Sequence, residues 1–323
     1  MQVVFFGSPS FALPSLEALL AAGHRVLLVV SQPGKPVGRK GDVTDPPVAA
    51  RSKSLGIHVF QPPTLKDDAV VTRLAQARAD VFVVVAYGRI LAQRVLDLPR
   101  LGCLNVHGSL LPRWRGASPV QAAILAGDPV TGVSIMKMDA GMDTGPVYAV
   151  REARIGEEET AEELGGRLSQ IGADLLVETL YFLEGEDISL SKKIFIPPLP
   201  QDSSLATTCP KISREDARVD WTRPAFELVR RSRAFTPWPG LFTIRGNARL
   251  KVFHVSLEAE GGQVRDGAEG SSPGTILEAG PRLVVACGEG AVSIATLQAE
   301  GKKRLPAAEF VRGERVAPGE RWG

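Results

Sequence analysis

Gln2-Val3-Val4-Phe5-Phe6-Gly7-Ser8-Pro9-Ser10-Phe11-Ala12 opens with a run of β-branched and aromatic side chains that stops abruptly at Gly7, Ser8 and Pro9. An apolar run this short, closed by turn formers and followed by a helical pattern, predicts a buried strand feeding a helix. The texture then repeats. Strands are predicted at Gln2 to Phe6, Arg25 to Ser31, His58 to Gln61, Asp80 to Ala86, Gly102 to His107 and Gly132 to Met138. Helices are predicted between them at Ser10 to Ala22, with Ser10 as N-cap, and at Pro46 to Ser54, Leu65 to Ala77 and Ser118 to Ala126. Such alternation implies an open α/β fold, a doubly wound, mostly parallel Rossmann-like sheet. A longer amphipathic helix over Thr160 to Glu184 closes the pattern, with Thr160 and Glu163 spaced as a capping box.

The chain has 323 residues, more than one hydrophobic core usually holds, so two domains are expected. The texture changes at Ile196-Pro197-Pro198-Leu199-Pro200-Gln201, a proline-rich stretch that holds a chain extended. We place a first domain at 1–188, a linker at 189–208 and a second domain at 209–323. The second domain shows short strands (Leu241 to Ile244, Leu250 to Ser256, Gly274 to Leu277, Leu283 to Ala286, Val292 to Leu297) separated by glycine-rich turns such as Gly261-Gly262. With one helix ahead of them, at Arg223 to Arg233, they suit a small OB-like β-barrel.

Charge divides unevenly. Residues 189–323 carry 20 basic and 15 acidic side chains, against 18 and 21 in residues 1–188. A basic second domain suits phosphates and equally a plain solvated surface. No basic segment precedes the first apolar run, and no apolar stretch approaches the roughly 20 residues of a membrane span, so neither a signal peptide nor a membrane partner is expected. Cys103, Cys209 and Cys287 are odd in number and dispersed, which points to a reducing, cytoplasmic setting and away from disulfides or a bound metal. A dinucleotide site is disfavoured, because Gly7 to Ala12 lacks the three glycines of G-x-G-x-x-G.

The chemistry concentrates at Leu104-Asn105-Val106-His107-Gly108. Alternation along a strand sends Asn105 and His107 to one side, at the strand end where open α/β sheets bind ligands. The spacing alone fits a functional pair and a buried, internally satisfied pair equally well. His24, His58 and His254 lack such company and read as structural or surface residues. A second polar cluster, Asp139-Ala140-Gly141-Met142-Asp143-Thr144-Gly145, follows the next strand. Met142 interrupts the oxygen ligands a calcium loop needs. The more useful reading is that one carboxylate reaches His107 and orients its ring. Asn, His and Asp together fit acyl transfer to an amine, with Asn105 and His107 donating to an oxyanion and Asp143 accepting the amine's proton. Neither Ser109, which lacks a nucleophile elbow, nor Cys103 is a persuasive nucleophile. The loop Gln32 to Asp45 is long and holds Lys35, Arg39 and Lys40 among prolines and glycines, which suits either a clamp on phosphate or a plain surface loop.

The run Asn105-Val106-His107-Gly108-Ser109-Leu110-Leu111-Pro112-Arg113-Trp114-Arg115-Gly116, together with Asp139 to Gly145, resembles the folate-dependent formyltransferases. The resemblance implies 10-formyltetrahydrofolate, a reduced folate, as formyl donor. It places Asn105, His107 and Asp143 in catalytic positions and has Ser109, Leu110, Leu111 and Pro112 line the folate site. Since that motif does not select the acceptor, the rest of the chain must. Phe11 resembles the family's aromatic residue near a methionyl side chain, and Gln32 to Arg39 resembles the loop that contacts tRNA in members acting on methionyl initiator tRNA. Past the linker, Val219-Asp220-Trp221, Phe235-Thr236-Pro237-Trp238-Pro239-Gly240 and Gly301-Lys302-Lys303 resemble the second domain of those members. The implied partner is methionyl initiator tRNA, bound with the help of Arg39, Lys40, Lys302 and Lys303; a monomer is expected, since the second domain leaves no apolar surface unexplained. The chain departs from that pattern in having Gly34, Asp42 and Asp45 where its loop is usually more positive, and Ser8 in place of threonine.

Overall fold

Val3, Val4, Phe5 and Phe6 are wholly buried on both faces, which is possible only for a strand at the centre of a covered sheet. In the computed structural model, which describes residues 1–37, 41–184, 197–260, 263–264 and 271–323, this strand (β1, Gln2–Gly7) does sit at the centre. The other strands of its sheet are β2 (Arg25–Val30), β3 (Val59–Phe60), β4 (Val81–Val85), β5 (Cys103–His107), β6 (Val130–Lys137) and β7 (Val147–Arg154). The order is β7-β6-β5-β4-β1-β2-β3. From β3 across to β5 the pairing is parallel, as expected of βα units. Beyond β5 it reverses: β6 runs antiparallel to β5, and β7 antiparallel to β6. The short loop between β6 and β7 forces those two strands antiparallel, whereas the connection from β5 to β6 contains the helix Pro119–Ala126 and is long enough for either direction.

Two details differ from the sequence reading. The first helix begins as a tight 3-10 turn at Ser10–Ala12 before the α-helix Leu13–Ala21, and Ser10 makes no side-chain cap. Pro14 occupies the first turn instead, where its missing N–H costs nothing. The strand β7 is not among the predicted strands: its apolar opening, Val147 to Val150, gives way to Arg151, Glu152 and Arg154 on a half-exposed edge. By contrast, Thr160 and Glu163 form the predicted box: the Thr160 amide donates to the Glu163 carboxylate at 2.9 Å and the Glu163 amide to the Thr160 hydroxyl at 3.3 Å. The Thr160 amide and hydroxyl, both donating to it, hold the Glu163 carboxyl below its ordinary range. The helix they start runs over Ala161–Glu184.

The chain forms two compact units. The first comprises residues 1–119, 130–154 and 165–210, and the second comprises 120–129, 155–164 and 211–323. The second contains a curled antiparallel sheet whose main path is Phe242–Arg245, Ala248–Leu257, Ala291–Ala299, Leu283–Ala286 and Ile276–Ala279 in spatial order. The two outer strands do not pair directly. The segment 319–323 lies between them, with Ile276 donating to Glu320, Gly323 donating to Ile244 and Arg245 paired with Glu320 at 2.6 Å. The Gly261-Gly262 turn expected in this sheet lies outside the described residues.

One close approach in the first unit positions the site. Gly172 in the long helix faces β5 and β6 so closely that a Cβ there would sit 2.7 Å from Val106 Cγ1 and 3.2 Å from Val133 Cγ1. Leu at this position overfills the contact. We expect Gly172→Leu to destabilise the protein by about 1–3 kcal/mol, read as a lowered urea midpoint. An unchanged midpoint would mean the helix does not depend on contact with β5.

Candidate functional site

β5 has two faces with different duties. Leu104 and Val106 are buried, Val106 beneath Gly172, while Asn105 and His107 share the opposite face. His107 is enclosed, its side chain 6% exposed, and both ring nitrogens meet oxygen atoms. Nε2 lies 2.9 Å from the Trp114 carbonyl oxygen. A carbonyl cannot donate, so Nε2 carries a proton and gives it to that bond. Nδ1 lies 3.7 Å from Asp143 Oδ2, an ion-pair distance rather than a hydrogen bond.

Asp143 is the point of convergence. Its Oδ2 accepts from the Gly116 amide at 2.8 Å, and its Oδ1 accepts from Asn105 Nδ2 at 3.3 Å. The loop that carries it starts unexpectedly. Because β6 runs antiparallel to β5, Lys137 lies opposite Leu104, and Met138 donates to Cys103 at the beginning of β5. The loop therefore reaches Asn105 from the strand's opening end, and only Asp143 of its two carboxylates faces the strand. Asp139 is exposed and ties the loop to itself, accepting from Gly141 N at 3.0 Å and Thr144 Oγ1 at 2.7 Å. Asp143 has φ +53° and Trp114 φ +58°. A left-handed conformation costs a non-glycine residue on the order of 1–2 kcal/mol, so surrounding bonds must hold both.

The stretch Ser109 to Gly116 closes the other side. Ser109 is wholly buried, its hydroxyl donating to the Arg113 carbonyl at 2.6 Å and its carbonyl accepting from Ser134 Oγ at 2.7 Å. The same Ser134 hydroxyl accepts from Leu111 N at 3.0 Å. Ser109 is thus engaged in shaping the turn, whereas Leu110, Leu111 and Pro112 are partly open and form an apolar wall. Arg115–Gly116 pairs in parallel with Thr208–Cys209, and Trp114 N donates to Thr207 Oγ1 at 2.9 Å. Cys103 is buried in the core, and that burial pushes its thiol up to about 12. Burial also raises the Cys209 thiol. Neither supplies a thiolate at neutral pH.

The other candidates belong to other elements of the chain. Phe11 sits in the 3-10 turn after β1, partly exposed. Nearby, Ser8 Oγ accepts from Gln32 N at 3.0 Å and so ties down the start of the long loop. That loop is a ribbon in which Lys35–Val37 pairs with Asp42–Thr44, while Arg39 and Lys40 lie outside the described residues. Lys302 and Lys303 are exposed at a turn of the second unit, beside Gly301 with φ +72°. Sequence reasoning missed three contributors: the Gly116 amide, the Trp114 carbonyl and Gln201. The first two act through backbone atoms, which residue type does not reveal. Among the described residues no group of His, Cys, Asp and Glu is arranged to hold a metal ion, and no helix is long and apolar enough to cross a membrane.

The chain matches two family models, Formyl transferase over residues 1–180 and Formyl transferase, C-terminal domain, over residues 211–315. It is 46% identical over 320 residues to a methionyl-tRNA formyltransferase of Myxococcus xanthus, spanning 98% of this chain and 96% of that protein. Among solved structures it resembles a methionyl-tRNA formyltransferase from Clostridium thermocellum, with a TM-score of 0.53 and 15% identity over 80% of this chain and 94% of that one. It also resembles HypX from Aquifex aeolicus in complex with tetrahydrofolic acid, with a TM-score of 0.64 and 18% identity. That match spans 96% of this chain and 47% of HypX.

Gly116 has φ +123°, and a Cβ there would overlap the Cys209 carbonyl oxygen. We therefore expect Gly116→Ala to cost about 1–3 kcal/mol of stability and to pull its amide off Asp143, abolishing most turnover. Urea unfolding and steady-state kinetics check both, and a fully active, equally stable variant would contradict this account of the site.

Proposed function

Because the chain belongs to the methionyl-tRNA formyltransferase family, we propose that it moves the formyl group of 10-formyltetrahydrofolate onto the amino group of methionine carried by initiator tRNA. The observation that carries this reading is the meeting of Asn105, His107 and Asp143 on one face of β5. Acyl transfer to an amine needs an acceptor for the amine's proton, a donor for the developing oxyanion and a means of fixing both. Asp143 supplies the first. Asn105 Nδ2 commits one N–H to Asp143, which leaves its second for the oxyanion. His107, with both nitrogens turned to oxygen atoms, holds Asp143 and the Trp114 carbonyl in place, and its charged form satisfies both at once.

In this scheme the methionyl nitrogen attacks the formyl carbon, forming a new C–N bond while the carbonyl oxygen takes the electron pair. A proton passes from nitrogen to Asp143, directly or through water. Collapse of the oxyanion breaks the bond to the folate nitrogen, which leaves carrying the proton that Asp143 received, and the carboxylate is restored. Leu110, Leu111 and Pro112 fit an apolar, planar donor, with Ser109 shaping the stretch from beneath. Phe11, Arg39 and Lys40 in the first part of the chain and the exposed pair Lys302 and Lys303 in the second serve the tRNA. The enzyme works as a monomer in the cytoplasm and needs no metal.

The test is transfer of labelled formyl from 10-formyltetrahydrofolate to methionyl initiator tRNA, beside uncharged tRNA and free methionine. Label on the charged tRNA alone is expected. Formate released with no labelled tRNA would make the enzyme a hydrolase, and the proposed acceptor would be wrong.

A further inference from the structure

The proline-rich stretch and the residues that follow it are more than a connection, since they are built into the first unit on either side of Gln201. Upstream, Leu199 exchanges two backbone bonds with Val147, each 2.8 Å, at the start of β7. Downstream, Thr207 donates to Pro112 O and accepts from Arg115 N, and Cys209 accepts from Ala117 N. Gln201 is held between these anchors, and all four hydrogen-bonding places of its amide are used. Nε2 donates to the carbonyl oxygens of Asp143 at 2.9 Å and Gly145 at 2.7 Å. Oε1 accepts from Arg115 Nε at 3.0 Å and Nη2 at 2.9 Å. No other side chain offers two donors and an acceptor at this reach: asparagine is one methylene shorter, and glutamate has no donor.

The geometry points to Gln201 as a positioning residue for formyl transfer: it clamps the Asp143 loop to the Arg115 strand and thereby aims the Asp143 carboxylate at Asn105 and the Gly116 amide. This inference rests on the catalytic reading of Asp143 given above. Gln201 touches the backbone of Asp143 and not its carboxylate, so it acts through placement. The clamped carbonyls belong to a stretch that includes a non-glycine residue at φ +53°, a conformation that requires external bonds to persist. Arg115 is itself buried, so its bidentate contact fixes the other end of the clamp firmly.

Gln201→Glu keeps the shape and the acceptor for Arg115 while removing both donors to the loop, and Gln201→Ala removes the clamp entirely. With the full-length enzyme, 10-formyltetrahydrofolate and methionyl-tRNA, each variant is expected to lose about tenfold to a hundredfold in kcat, the cost of a misplaced catalytic group, with KM for either substrate within about twofold. Because the residue works through Asp143, Gln201→Glu added to Asp143→Ala should change kcat by less than about twofold, which a general structural weakening would not reproduce. Should Gln201→Ala not fold, Gln201→Glu still decides. Wild-type kcat in Gln201→Glu, a loss confined to KM, or losses that multiply in the double variant would overturn the inference. If Asp143→Ala alone keeps wild-type kcat, the catalytic reading fails and this inference with it; if Asp143→Ala is crippled and Gln201→Glu is not, only the role of Gln201 falls.

Discussion

The Asp143 carboxylate joins pieces of chain that the fold brings from different directions. It accepts a side-chain amide from β5, a backbone amide from the stretch after β5, and lies beside the His107 ring. Remove it, and the Asn105 side-chain amide and the Gly116 backbone N–H lose their acceptor together. Unsatisfied groups of this kind are costly, so the carboxylate organises the site before any substrate arrives. Its own backbone is in a left-handed conformation that it would not choose alone. The placement of that one group therefore depends on neighbours that never touch it, including the proline-rich segment after the first helix-rich part of the chain.

The opposite face of the same strand supplies rigidity. Val106 packs under Gly172 of the long helix, and the missing Cβ lets the helix approach as closely as van der Waals contact allows. One strand thus divides its side chains between a core that does not move and a polar face whose groups are matched to one another. The capping box at Thr160 and Glu163 marks where that helix begins.

Much of this was legible in the residues, and the parts that were not share a cause. The central strands announced themselves because burial on both faces demands continuous apolar runs, as in Val3 to Phe6. The pairing of Asn105 with His107 followed from alternation, and the capping box from spacing. Strand direction was not readable: the apolar run of β6 looks the same whether it runs parallel or antiparallel to β5, and the connection between them, which holds the helix Pro119–Ala126, is long enough for either. β7 itself was missed because its apolar opening of four residues, Val147 to Val150, runs straight into charged residues on an exposed edge. Ser10 had the chemistry of a cap, yet the chain entered its helix through a 3-10 turn. Gln201 lay in plain view within a linker, but its meaning depends on which carbonyls the fold places around it.

The central claim is that Asn105, His107 and Asp143 act as one unit in formyl transfer. Groups that act as a unit are non-additive when removed, since the loss of one member disables the others. The direct measurement is kcat for the three single alanine variants and for the triple variant, under saturating formyl donor and methionyl-tRNA. The account predicts that the triple variant is no worse than the most damaged single variant to within about tenfold. Losses that multiply across the three positions would show three independent contributions and would contradict it.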